Sequence, residues 1–360
     1  MPLARRTSAL SVVPPTVPIM DETRMAGVIL AALELAPGKP SDVTAILLSD
    51  DRHVLMGPQA EADGWSESAE PRHAATASVR QEATPLARYL ADHIDQGRIE
   101  HWTKVVDRGM SEGRYRPLPV TDPGYPSRLR EVWDAPPLLF HSVGQESRAN
   151  ARVAAARSTG YNGNGEAILS AARLDDALSA YPSVAIIGSR ETSREVVEGT
   201  ELVASDLAEA GISIISGLAA GVDAAAHRGA LAACGYTVAV MGTGIDLVFP
   251  ESNLDLATEV ARSGTLVSQF VPPAPRTPSS FLLRNHVIAA MSDVTLVMDG
   301  DERSGSRYEV EQAVAYGRPV LAWAPALAHR SWVRDLVETG AARLVESAAQ
   351  VREHLARLIV

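Results

Sequence analysis

Between residues 184 and 323 the chain repeats one pattern. A short, mainly apolar run ends in a loop of small residues, and the loop opens a stretch with helical period. The runs are 184–187 before Gly188, Ser189 and Arg190; 212–215 before Ser216, Gly217 and Gly221; 237–241 before Gly242, Thr243 and Gly244; and 295–298 before Arg303, Ser304, Gly305 and Ser306. Continuous apolar runs mark strands buried on both faces. Their alternation with helical periods predicts an α/β fold with a parallel sheet and helices on both of its faces. Such sheets bind ligands beyond the carboxyl ends of their strands. Small-residue loops on that rim let backbone N–H groups and helix N-termini approach negative charge, which points to phosphate.

The rest of the chain is patterned more weakly. Residues 1–24 read as a flexible tail and 25–115 as a mostly helical region. Within the latter, 43–48 fits a strand or a buried helical turn equally well, and 76–110 reads as one helix or two. Residues 116–180 read as a lead-in segment and linker. Asp122, Pro123, Gly124, Tyr125 and Pro126 give a strong turn signal, and 160–165 is glycine-rich. Residues 181–325 form the expected Rossmann-like domain, and 326–360 a helical tail.

The chain has 360 residues, 46% of them hydrophobic, enough for a substantial core. No run approaches the roughly 18 uninterrupted apolar residues of a membrane span, so a cytoplasmic protein without a membrane partner is expected. Cys234 is the single cysteine, which excludes an intramolecular disulfide and a cysteine-based zinc cluster; no metal site is expected. The net charge is −11. Residues 184–325 carry nine arginines, no lysine and seventeen acidic residues. This balance argues against broad, nonspecific duplex binding and leaves room for a local arginine-lined groove.

The loops carry the candidate chemistry. Arg190 can fork onto a phosphate or stack on a base. Asp223 and His227 share a helix face, as an acid–base pair or, more economically, as a cap and a packed histidine. Phe281 can stack on a base, with Arg284 and Asn285 positioned for phosphate or sugar, ahead of a helical run at 287–291. Arg303, Ser304, Gly305 and Ser306 make a small nest without the lysine and spacing of a Walker loop. The first strand is not followed by a dinucleotide fingerprint, so no cofactor is expected.

In order and spacing these segments resemble the DprA/Smf family of bacterial DNA-processing proteins, over roughly residues 118–325. The matching residues run from Gly188, Ser189 and Arg190 through Ser216, Gly217, Gly221 and Asp223. They continue with Gly242, Thr243, Gly244, Phe249, Pro250 and Asn253 to Phe281, Arg284, Asn285 and the 302–306 nest. The resemblance implies an extended Rossmann fold and single-stranded DNA binding without covalent chemistry. It also implies loading of a RecA-type recombinase in DNA uptake and homologous recombination, by a homodimer. Arg190, Phe281, Arg284, Asn285 and the Ser304–Gly305–Ser306 loop would line the DNA groove. The chain departs from the family at His286, where a second arginine is usual, and at Arg307, Tyr308 and Glu309, where small apolar residues are usual. Gly305, Ser306 and Glu309 are instead similar to the end of the glycine-rich motif in LOG-type phosphoribohydrolases. That likeness implies an alternative: hydrolysis of a nucleoside 5′-monophosphate with Arg284 and Glu309 as catalytic residues. A third reading is a nucleotide-binding sensor on the same fold.

Overall fold

A computed structural model describes residues 22–56, 83–143 and 174–358. The tail up to residue 21, the segment 57–75 and the glycine-rich stretch 160–165 lie outside the described residues. Among the described residues a single nine-stranded sheet runs in the order β1-β2-β6-β5-β4-β3-β7-β8-β9. Its strands are β1 Tyr115–Pro119, β2 Leu138–Ser142, β3 Ser183–Ile187, β4 Ser213–Ser216, β5 Thr237–Met241, β6 Thr265–Ser268, β7 Val294–Val297, β8 Val320–Trp323 and β9 Ala342–Val345. Strands β3 to β9 are parallel, and β1 and β2 add an antiparallel edge.

The apolar runs form strands because both their faces are covered. Along β3, Ala185 and Ile187 enter one core, while Val184 and Ile186 enter the other. The first core continues into the N-terminal helices through Ile29, Leu47, Leu90, Tyr125 and Phe140. The second packs helix Arg194–Glu209 and helix Ala348–Leu358 through Leu207, Val351 and Leu355. Period-two alternation thus divides each strand between two layers.

The structure decides between alternatives the pattern left open, and departs from it elsewhere. Residues 43–48 belong to helix Pro40–Leu48, where Pro40 sits in the first turn and Asp42 Oδ2 accepts from Lys39 N at 2.7 Å. The described part of 76–110 is two helices, Pro85–His93 and Gln96–Ser111, begun by the caps Thr84 and Asp95. A strand, β9, interrupts the expected helical tail. It is the sheet's last strand, paired only with β8, and its exposed Arg343 and Leu344 break the apolar run that marks a central strand. β1 carries Pro117 and Pro119, which an edge strand tolerates because one side of its ladder is unpaired. Cys234, just past helix Val222–Ala232, is exposed with φ +57°.

Candidate functional site

Chain order reverses at β3: β4, β5 and β6 lie on one side, β7, β8 and β9 on the other. Ligands in such sheets bind in the crevice between the loops that leave the central strands at this reversal. A cavity of about 610 Å³ opens there. Three chain segments bring the predicted residues to it. Gly188, Ser189 and Arg190 come from the loop after β3; Phe281, Arg284 and Asn285 from helix Pro278–Met291; Ser304, Gly305 and Ser306 from the start of helix Gly305–Ala315.

Helix Pro278–Met291 begins earlier than its hydrophobic pattern implies. Thr277 and Ser280 form a capping box, and Pro278 takes the first helical position. Phe281, Arg284 and Asn285 therefore stand at i, i+3 and i+4 on one helix face. The Thr277-Pro278 pair carried that signal in the sequence.

Asp223 and Glu309 also line the cavity, whereas Ser216, Gly217, Gly221, Gly242, Thr243, Gly244 and Arg303 do not. Ser216 Oγ donates to Ile186 O at 2.6 Å, and Thr243 is buried, its carbonyl accepting from Ser268 Oγ at 2.6 Å. A Cβ on Gly217 would stand 1.7 Å from Arg284 Nη1, so only glycine lets the guanidinium seat. Gly221 has φ +74°, and a Cβ there would meet Ser189 O at 2.3 Å. Gly242 admits the ring of Phe281, and Gly244 packs against the backbone near Ala274. Arg303 is exposed on the turn before the nest.

The rim alternates guanidinium groups and rings. Arg190 lies 4.7 Å over Phe281, Phe281 and Phe249 stand 5.8 Å apart, and Arg276 lies 4.4 Å over Phe249. Arg276 also lines the cavity. Neither Arg276 nor a stacking role for Phe249 was legible in the sequence, since the contact forms between distant loops. The nest is wired internally: Ser304 Oγ donates to Asp301 O at 2.9 Å and lies 2.7 Å from Ser306 Oγ. The hydroxyls are thus engaged, Ser304 Oγ also accepting from Arg307 N at 3.4 Å, and the N–H groups of Gly305 and Ser306, ahead of that cap, have no carbonyl within the helix to bond. A Cβ on Gly305 would meet nothing within 4 Å, so the helix start stands open.

The floor is a buried charge cluster. Arg284, 3% exposed, donates from Nη1 to Gly217 O and to Val240 O (2.9 Å), and from Nε to Asn285 Oδ1 at 3.0 Å. Its Nη2 is 3.8 Å from Asp223 Oδ2. Burial pushes the Glu309 carboxyl well above the usual carboxylate range; Arg284 opposes the shift and Asp223 adds to it. Burial also raises Asp223, against Arg284. One guanidinium can neutralise one carboxylate, and Asp223 holds the closer contact. The surplus proton therefore belongs to Glu309, whose Oε1 is buried without a hydrogen-bond partner.

Asp223 and His227 do not work as a pair. Asp223 lines the cavity and accepts from Ala219 N at 3.3 Å. His227 is fully buried behind it, Nδ1 lying 2.8 Å from Thr237 Oγ1. The Thr237 hydroxyl already donates to Ile214 O at 2.9 Å, so His227 Nδ1 carries the proton. Burial holds the His227 pKa down to about 3, with Arg284 adding to the shift. Among the described residues no cluster of acidic, histidine or cysteine side chains could hold a metal ion, and no helix is long and apolar enough to cross a membrane.

Known proteins resemble this chain in sequence and fold. The family described as DNA recombination-mediator protein A matches residues 174–357. The DNA processing protein DprA of Streptococcus pneumoniae is 32% identical over 226 residues, covering 62% of this chain and 69% of that protein. The DNA processing protein DprA of Bacillus subtilis is 26% identical over 285 residues, 78% of this chain and 84% of that one. The solved Streptococcus pneumoniae structure aligns with a TM-score of 0.61 at 23% identity, covering 91% of this chain and 98% of that chain. DNA processing protein A from Helicobacter pylori, solved for its single-stranded DNA binding mode, aligns with a TM-score of 0.54 at 25% identity, covering 69% and 98%. With the family matched across the parallel strands and the cavity, this chain belongs to the DprA/Smf family of DNA-processing, recombination-mediator proteins.

Proposed function

We propose that the cavity and its rim bind single-stranded DNA, and that the chain thereby loads a RecA-type recombinase during DNA uptake and homologous recombination. In this reading it acts as a cytoplasmic homodimer and performs no covalent chemistry. The observation that carries the proposal is the rim's alternation of Arg190, Phe281, Phe249 and Arg276. Guanidinium groups between rings offer successive bases a stacking face and the backbone a charge at each step. The open start of helix Gly305–Ala315 adds backbone donors for a phosphate. Binding to a relative of the same family, the Helicobacter pylori protein, supports the choice of ligand.

The test is titration with fluorescent oligo-dT at two salt concentrations. Two rim arginines neutralising two phosphates predict a slope of log K against log salt of about −1.4, because single strands give roughly −0.7 per phosphate. Arg276→Ala lowers that slope by about 0.7. A slope unchanged by Arg276→Ala would remove the rim from the interface.

A second reading has one observation in its favour: the unpaired Glu309 carboxyl beside Arg284 in a nucleotide-sized cavity. A nucleoside 5′-monophosphate seated there would place its sugar near two acids, as N-glycosidic hydrolysis needs. Release of ribose 5-phosphate from AMP would establish this activity. Saturable AMP binding without turnover or oligonucleotide affinity would establish a sensor.

A further inference from the structure

The cavity floor holds a group suited to something other than phosphate. Glu309 is 5% exposed, lines the cavity and leaves Oε1 without a partner. A buried polar atom left unpaired is costly and persists where a ligand completes it. Facing it are Arg284 from helix Pro278–Met291, Asp223 from helix Val222–Ala232 and, at the rim, Arg190. A phosphate driven to this floor meets two acids and a guanidinium already committed to Asp223, Gly217 O and Val240 O. A nucleobase carries no net charge and shows donors and acceptors side by side along its edge. A neutral carboxyl shows the complementary O–H and C=O at the same spacing. Above the floor, the face of Phe281 and the guanidinium of Arg190 offer a stacking wall.

We infer that Glu309 reads the hydrogen-bonding edge of one nucleobase inserted into the cavity, while the strand's phosphates stay on Arg190, Arg276 and the start of helix Gly305–Ala315. Glu309 thereby sets base preference in a strand binder. This rests on the single-strand reading above and adds to it a base-selecting subsite.

The experiment compares the full chain with Glu309→Leu and Glu309→Gln. Homopolymeric dA, dC and dT oligonucleotides and an abasic strand of equal length are titrated across a series of pH values, since burial raises the Glu309 carboxyl. The unmodified chain should bind one homopolymer about 10-fold more tightly than the others and the abasic strand most weakly, the scale of one good hydrogen-bond pair. Its preference should fade as the pH rises and the carboxyl loses its donor proton. Glu309→Leu should flatten the ranking while keeping rim-level affinity, and it removes an orphaned polar atom, so folding is retained. Glu309→Gln keeps a donor and an acceptor and should lose only the pH dependence. Equal affinity for abasic and base-bearing strands, or an unchanged ranking in Glu309→Leu, would overturn the inference while leaving strand binding intact. Failure of the unmodified chain to bind any strand would overturn the single-strand reading and the inference with it.

Discussion

Arg284→Ala asks whether the cavity floor is one electrostatic unit or a set of separate contacts. The guanidinium is 3% exposed, bonds two backbone carbonyls and Asn285, and stands 3.8 Å from Asp223. Truncation leaves Gly217 O, Val240 O and the Asp223 carboxylate without that donor. Removing one member of a buried ion pair costs about 3–5 kcal/mol, because the orphaned charge remains in a low-dielectric site. That is a large share of the ~5–15 kcal/mol by which a domain is stable. At roughly 2–4 °C per kcal/mol for a domain of this size, the melting temperature should fall by about 6–20 °C. Adding Asp223→Asn removes the orphaned charge. The double variant should therefore be more stable than the two single losses imply, with a coupling of about 0.5–3 kcal/mol. Thermal and urea unfolding followed by circular dichroism measure both quantities. A shift under about 2 °C for Arg284→Ala, or additive losses in the double variant, would refute the unit. If the unit holds, lost DNA affinity in Arg284→Ala reports a collapsed floor as much as a missing contact, and Arg190 and Arg276 become the informative mutants.

Other expectations follow from single features. Phe281→Ala should weaken oligo-dT binding by the ~1–3 kcal/mol of one base–aromatic stack, read by fluorescence titration, with the salt slope unchanged because no charge is lost. Gly221→Ala forces a Cβ into φ +74° and within 2.3 Å of Ser189 O, so it should displace the loop bearing Arg190 and lower both stability and affinity. His227 is held neutral in the fold with a pKa of about 3, against an ordinary 6.5. The unfolded chain binds a proton that the fold refuses. Stability from this site is thus full above about pH 6.5 and falls toward about pH 3, by up to ~1.4 kcal/mol per pH unit. Denaturation at pH values across that window should show a shallower slope in His227→Gln.

The central strands were legible because a doubly covered strand leaves a mainly apolar run. Thr237–Met241 coincides with its run, and β3, β4 and β7 lie within a residue of theirs. β6, β8 and β9 are not followed by a glycine-containing loop, so their pairing comes from neighbours rather than from local pattern. The cavity-lining loops were legible as a set, because the ends of parallel strands converge on one rim. Their division of labour was not. Gly217 and Gly242 read as ligand-facing, yet they make room for Arg284 and Phe281, and that room is a tertiary property. Arg284 read as a groove cation, yet burial commits it to Asp223 and backbone carbonyls.

The chain's acidity bears on how such a site can work. With a net charge of −11, long-range attraction to nucleic acid is weak, and affinity must come from short-range contacts. The cations that serve the rim, Arg190 and Arg276, lie over aromatic rings rather than beside carboxylates. Arg194, Arg228, Arg307 and Arg357, by contrast, are paired with glutamates close to them on their own or a neighbouring helix. An arginine over a ring keeps its charge available to a phosphate while its plane stays oriented for a base. The fold thus sets charge against aromatic rings at this crevice, which favours a strand threaded past it over a duplex laid across the surface.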